Sequence, residues 1–298
     1  MKNFLIVHYN TPLLTEYLVK SINKFVGADC CIYIFDNSDK YKFTYKQNNL
    51  TVFDNTKGQI INFDKELSKY PNHVHSLGKY SKWGSFKHCI SVEKCFDLID
   101  DNFVLLDSDV LLTRDPSNLF DENYYSIGEI VDWSWDLTNK NFPVHKRIRP
   151  FITFINVNLC KQEGIHYYND EYMDGLYDSI TKKDKAQLDK DSYDTGCWFY
   201  EQIKNKPIKT INYTDYVIHF GGGSYRYNGS NEKLSQMAWL KKYSKYHSEN
   251  LNSKTQKMEQ RIIKLHPTMI TVNKQIKPKS NIKVIKKTNT FLGGGLNW

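Results

Sequence analysis

The sequence predicts an α/β protein: a mixed, mostly parallel sheet flanked by helices, followed by a helical and basic C-terminal extension. Three observations predict it. Short continuous apolar runs at residues 4–7 and 103–106 are what strands buried on both faces require. Amphipathic segments of helical period alternate with these runs. Each run ends on a cluster of polar residues, and open α/β sheets bind ligands at the carboxyl ends of their strands.

The elements follow in order. Residues 4–7 form the first strand, which ends in the polar turn His8-Tyr9-Asn10-Thr11-Pro12. A helix through Leu14, Leu18 and Ile22 comes next. A second strand at 31–35 closes on Asp36-Asn37-Ser38, and a third at 51–53 closes on Asp54-Asn55. Residues 84–99 read as a helix whose stripe is Phe86, Cys89, Ile90, Phe96 and Ile99. The strand at 103–106 then runs into Asp107-Ser108-Asp109. Beyond 120 the pattern is irregular. A strand is expected at 151–159, and a helix at 198–203 with Asp194 or Thr195 as its cap. A last strand at 216–220 meets Gly221-Gly222-Gly223. Residues 1–230 read as the main domain and 231–298 as the extension.

Composition narrows the function. A chain of 298 residues is long enough for one large α/β domain. Its net charge of +8 favours anionic partners, yet no zinc finger or RNP sequence supports nucleic-acid binding. The run of lysines between Lys274 and Lys287 reads as a solvated tail, with docking on an anionic membrane as the second reading. The six cysteines form no C-x-x-C pair and read as reduced core thiols. The apolar run at 4–7 is too short for a signal peptide, and no stretch reaches the ~20 apolar residues of a membrane span. The expected location is the cytoplasm, with the basic C-terminus a candidate contact for the inner membrane face.

Asp107 and Asp109 carry the chemistry. Two residues apart at a strand end, they leave the same face if the strand persists, while Ser108 points away. Two converging carboxylates repel each other unless a cation lies between them, and Mg²⁺ and Mn²⁺ take such oxygen ligands while keeping positions open for phosphate. His219 ends a later strand and offers a metal-capable nitrogen, and the glycines after it allow close backbone approach to a ligand.

Together these features resemble the GT-A class of glycosyltransferases. Val104-Leu105-Leu106-Asp107-Ser108-Asp109-Val110, followed by Asp115-Pro116 and Leu119-Phe120, is similar to the D-x-D region of family 8. Ile155-Asn156-Val157-Asn158 falls where that family has an asparagine-containing strand, and Ile218-His219-Phe220 with Gly222 falls at its third metal ligand. Where the family continues Lys-Pro-Trp, this chain has Tyr225-Arg226-Tyr227, so Arg226 stands in for the lysine that meets the diphosphate. The N-terminal strand ends, Ile6-Val7-His8-Tyr9-Asn10-Thr11 and Phe35-Asp36-Asn37-Ser38, resemble instead those that hold base and ribose in family 2.

The resemblance implies a donor site of His8, Tyr9, Asn10, Thr11, Asp36, Asn37, Asp107, Ser108, Gly222 and Arg226. It implies a Mn²⁺ or Mg²⁺ site of Asp107, Asp109 and His219. The implied donor is a nucleotide-diphosphate sugar, a UDP-sugar first among them, and the acceptor a glycan or lipid-linked oligosaccharide. Asp194 falls where family 2 has its general base and where family 8 has a sugar contact; a helix cap is the third reading and Asp191 the rival residue. Lys87 and Arg114 read first as surface charge, with phosphate neighbours as the second reading. The segment 129–149, with Asp132, Trp133, Trp135, His145, Lys146, Arg147 and Arg149, reads either as an acceptor surface or as a solvated loop with two core-facing tryptophans. A haloacid-dehalogenase-type phosphatase with Asp107 as nucleophile is the rival enzyme, although that motif usually opens its chain. A non-catalytic glycan-binding module is the third alternative.

Overall fold

The structure, a computed structural model, describes residues 1–27, 29–69, 83–133, 144–169 and 194–219. All of them belong to one compact unit, Met1–Lys242.

The first half follows the sequence pattern. Strand β1 (Lys2–His8) leads into helix α1 (Pro12–Val26), and β2 (Cys30–Asp36) and β3 (Leu50–Asp54) follow. Pro12 sits at the start of α1, where its fixed φ suits a helix and its missing N–H costs nothing. A short helix, α2 (Phe63–Ser68), is capped by the Asn62 side chain accepting from the Lys65 amide. The long helix α3 (Trp83–Ile99) then delivers the chain to β4 (Phe103–Asp107).

The second half is finer-grained than expected. It contains β5 (Val110–Leu112), β6 (Ser126–Gly128), the hairpin of β7 (Ile130–Trp133) and β8 (His145–Ile148), then β9 (Ile152–Ile155). Helix α4 (Val157–Glu163) starts inside the segment expected to be strand to 159. The cause is Asn156, whose side chain accepts from the Leu159 amide and so caps a helix where the strand would have continued. Helix α5 (Cys197–Ile203), β10 (Ile208–Thr210) and β11 (Val217–His219) complete the described fold.

Seven strands form the main sheet in the order β10-β6-β9-β4-β1-β2-β3. Only β9 runs against its neighbours; the β4–β1–β2–β3 half is wholly parallel. This is the expected mixed, mostly parallel α/β sheet. Phe4, Leu5, Ile6 and residues 103–106 are fully buried, so β1 and β4 are covered on both faces. Leu5, Val7 and Leu105 pack with Phe86, Cys89, Val92 and Phe96 of α3 on one face. On the sheet, Phe4 meets Phe120, which in turn meets Phe154, with ring centroids 5.5 and 5.8 Å apart. All six cysteines are free, as expected.

The strand order defines where a ligand could lie. From β1 the chain goes outward through β2 and β3 on one side, and β4 then pairs on the other side. The crevice between β1 and β4 is therefore a switch point, the usual binding position in open α/β sheets. His8 pairs in register with Asp36, and Val7 with Asp107, so the polar ends of β1, β2 and β4 share one edge.

Candidate metal centre

Asp107 is the last residue of β4, and Ser108-Asp109 forms a turn before β5. The two carboxylates therefore converge through a tight turn, not through the strand pleat expected of them. β11 pairs antiparallel with β5 and sets His219 opposite Val110, the residue after Asp109. The result is a group of three side chains, Asp107, Asp109 and His219, whose ligand atoms all lie within 4.8 Å of one another. The sequence separates His219 from the two aspartates by more than 100 positions; the β5–β11 pair brings them together.

The electrostatics fit a cation. Asp109 is buried, and its Oδ1 lies 3.3 Å from His219 Nε2. Burial opposes a charge on His219, but Asp109, by charge and hydrogen bond, and then Asp107 outweigh it and raise its pKa above the ordinary value. A proton here answers the same need as a metal ion, which is positive charge between two carboxylates. Two carboxylates with one imidazole suit Mn²⁺ or Mg²⁺ and leave coordination positions for phosphate oxygens. The His219 ring is oriented by Phe151, which stacks on it with centroids 3.7 Å apart and planes 20° apart. Tyr213 meets Phe151 edge-on, and the Arg149 guanidinium lies over both rings while pairing with Glu129 at 2.9 Å.

The N-terminal residues expected to meet the donor mostly build the loop at 37–43. Asp36 is buried, and its two oxygens accept from the amides of Ser38 and Phe43. Asn10 takes a positive φ of 56°. Its amide donates to the Ser38 hydroxyl, its Oδ1 accepts from the amides of Lys40 and Tyr41, and its Nδ2 donates to Asp39. Asn37 donates to Ser91 of α3 and accepts from Asn55. His8 is fully buried, with Nδ1 2.8 Å from the Thr15 hydroxyl. Thr11 donates to Ser108 at 3.2 Å, which joins the turn after β1 to the Ser108-Asp109 turn. Tyr9 is half-buried and donates to Asp39, and the Lys87 ammonium lies 5.7 Å from the Tyr9 ring centroid. Arg114 stacks over Tyr216 instead, with its guanidinium carbon 4.2 Å from that ring centroid.

Asp194 is tied to three neighbours. Its Oδ1 accepts from the Ser85 hydroxyl and the Thr195 amide, and its Oδ2 pairs with Arg147 at 3.0 Å. Neither Asp194 nor Thr195 caps α5: the N-cap is Gly196, at φ 82° and with no side-chain cap. The helix-cap reading is thereby corrected. Arg147 also stacks on Trp133, so part of the expected acceptor surface is joined to Asp194. Asp191, Trp135, Gly222 and Arg226 lie outside the described residues.

Two residues of the centre were not singled out from sequence. Phe151 looked like an ordinary strand start. His88, on α3, has its Nε2 3.4 Å from Asp107 Oδ1. Its one sequence signal was a polar side chain inside the run Phe86-Lys87-His88-Cys89-Ile90.

No protein-family model matches the sequence, and no curated protein does. By structure the chain is similar to the glycosyltransferase GlyE of Streptococcus pneumoniae TIGR4, at 11% identity and TM-score 0.35, over 72% of this chain and 46% of that one. It is similar to the galactosyltransferase LgtC, solved with donor and acceptor sugar analogs, at 14% identity and TM-score 0.41, over 71% and 73% of the two chains. It is also similar to the bifunctional glycosyltransferase WbbM, at 12% identity and TM-score 0.36, over 82% of this chain and 44% of that one. The chain thus spans about half the length of GlyE and WbbM. These solved neighbours are glycosyltransferases, and a three-residue candidate metal centre stands in this chain at the edge of an α/β sheet.

Proposed function

We propose that the protein is a metal-dependent glycosyltransferase. It moves a sugar from a nucleotide-diphosphate donor, a UDP-sugar first among them, to a glycan or lipid-linked acceptor. The observation that carries this reading is the convergence of Asp107, Asp109 and His219 beside the β1–β4 crevice. Those three residues would hold Mn²⁺ or Mg²⁺, which when bound neutralises the negative charge of the departing diphosphate as a Lewis acid. Residues 1–230 would be the transferase domain, and 231–298, which lie outside the described residues, an extension whose lysines form a solvated tail or a second-choice contact for an anionic membrane.

In the transfer, the bond from the sugar's anomeric carbon to the diphosphate breaks and a bond from the acceptor hydroxyl oxygen forms. The hydroxyl proton passes to a base. Asp194 is the proposed base, or a sugar contact in a retaining enzyme, with Asp191 as its rival. Tyr9, Asn10 and the loop at 37–43 are proposed to receive the nucleoside, and Gly222 and Arg226 the diphosphate. The phosphatase reading puts the nucleophile at Asp107 and needs a further acid beside it. The group here is completed by a histidine, which favours the transferase.

Thermal melting with UDP, GDP and their sugars, with and without Mn²⁺, tests the proposal. Stabilisation by at least one nucleotide is expected only with the metal, and Asp109→Ala should remove it. If no nucleotide diphosphate raises the melting temperature with Mn²⁺ present, the transferase reading fails. Phosphate release from sugar phosphates would favour the phosphatase.

A further inference from the structure

The imidazole of His88 is placed against the candidate metal centre but has no settled partner. Both ring nitrogens are buried and make no hydrogen bond among the described residues. Buried polar atoms in native proteins are nearly always hydrogen-bonded, so one left over asks for a reason. The nearest acid is Asp107, whose Oδ1 lies 3.4 Å from Nε2. That is a few tenths of an ångström beyond an ordinary N–H···O bond, within the reach of a small carboxylate rotation.

The ligand set explains why His88 is not itself a ligand. The ligand atoms that lie within 4.8 Å of one another belong to Asp107, Asp109 and His219. His88 stands outside that group and meets it at Asp107. The nearest ion pairs run from Asp109 to His219, at 3.3 Å, and from Asp107 to His88, at 3.4 Å. Carboxylates that bind metals are usually held in turn by an outer hydrogen bond, which sets their orientation. Asp109 gains rigidity from its burial, whereas Asp107 is only half-buried at the end of its strand. It is the ligand that needs an outer partner.

We infer that His88 is a positioning residue for Asp107: its Nε2–H holds Oδ1, so that the carboxylate keeps one orientation toward the cation. The inference rests on the metal-site reading above. It assigns the Nε2–H tautomer to His88 and places α3, through this one side chain, in the metal centre.

Calorimetric titration of Mn²⁺ alone into the full chain tests it, on the unaltered protein, Asp109→Ala, His88→Phe and His88→Gln. The glutamine amide N–H reaches about as far as Nε2–H, while phenylalanine keeps the ring and removes the donor. His88→Phe should weaken Mn²⁺ binding about 10-fold or more, and His88→Gln should stay within about threefold of the unaltered protein. Melting of the metal-free proteins checks that each variant is folded. If His88→Phe fails to fold, His88→Asn, whose amide is too short to reach Asp107, replaces it in the comparison with glutamine. Unchanged affinity in the donor-less variant, with binding lost in Asp109→Ala, overturns the role of His88 and leaves the metal site standing. Equal losses in both His88 variants also overturn it, because the amide should have rescued. If the unaltered protein binds no Mn²⁺, both readings fall together.

Discussion

The Thr11 hydroxyl donates to the Ser108 hydroxyl at 3.2 Å, with both side chains buried. This contact spans the β1–β4 crevice and ties the turn after β1 to the middle residue of the Asp107-Ser108-Asp109 turn. Ser108 is therefore more than a spacer between two acids: it fixes the turn that makes them converge. A buried hydroxyl pair of this kind contributes about 1 kcal/mol net, and removing one member strands the other. Thr11→Val and Ser108→Ala should each destabilise the fold. The double variant should cost less than the sum of the two, with a coupling of roughly 1 kcal/mol by denaturant titration. Strict additivity would show that the two turns are independent.

Gly196 is held against β8. At φ 82°, an added Cβ would stand 2.1 Å from the Ile148 carbonyl oxygen, which is backbone and cannot swing away. Gly164 also has a positive φ, of 64°, but open space around its Cβ position. Gly164→Ala should therefore cost only the left-handed backbone penalty, about 1 kcal/mol. Gly196→Ala should cost roughly 3 kcal/mol or more, since overpacking adds to that penalty. Urea midpoints of the two variants measure the difference. Because Gly196 carries Asp194 two residues upstream, the larger effect would also disturb the Asp194–Arg147 pair.

The physical reasons for what the sequence made legible are specific. Strands β1 and β4 were readable because burial on both faces leaves continuous apolar runs, and helices α1 and α3 because one covered face leaves a 3.6-residue stripe. The three residues of the candidate metal centre were readable from residue type at strand ends. Their geometry was not, since it depends on the tight turn at Ser108-Asp109 and on the β5–β11 pairing, whose partners lie over 100 residues apart in the chain. Short strands such as β6 and β10 hold only 3 residues each, too few to show a period. The early end of β9 came from Asn156, whose capping competes with the strand pattern around it. Asp194 was legible as an acid near a helix start, while its partners Ser85 and Arg147 come from distant elements.

His8 predicts how stability responds to acid. Its ring is fully buried, and that burial lowers its pKa below the ordinary 6.5; Asp36, 3.9 Å away, and the Tyr41 carbonyl oppose the shift without cancelling it. The folded protein therefore keeps His8 neutral while the unfolded chain takes up a proton near pH 6.5. The unfolded state binds more protons in that window, so stability falls as pH falls. The contribution is complete above pH 6.5 and is lost as pH drops from there toward the lowered folded value. The slope from this one group reaches at most about 1.4 kcal/mol per pH unit. Urea midpoints at pH 8, 6.5 and 5 should decline, and His8→Gln should flatten the decline. An unchanged slope in that variant would assign the acid sensitivity elsewhere.

Asp194 joins three elements: Ser85 of α3, Arg147 of β8 and the turn into α5. Such a residue can be a strut, a reacting group, or both, and the two roles separate experimentally. Asp194→Asn keeps the shape and the bond from Ser85 but removes the charge that faces Arg147 and any acceptor hydroxyl. A strut alone predicts a lower melting temperature with turnover nearly intact. A general base predicts a loss of transfer rate of roughly 100-fold or more, because proton abstraction contributes at that scale. The second outcome is expected, together with an unchanged Mn²⁺-dependent shift by UDP, since Asp194 lies outside the three-residue metal group. Turnover would be followed as UDP release from whichever UDP-sugar gives the largest thermal shift. A rate within about threefold of the unaltered enzyme would leave Asp194 a strut and move the search for the base to Asp191.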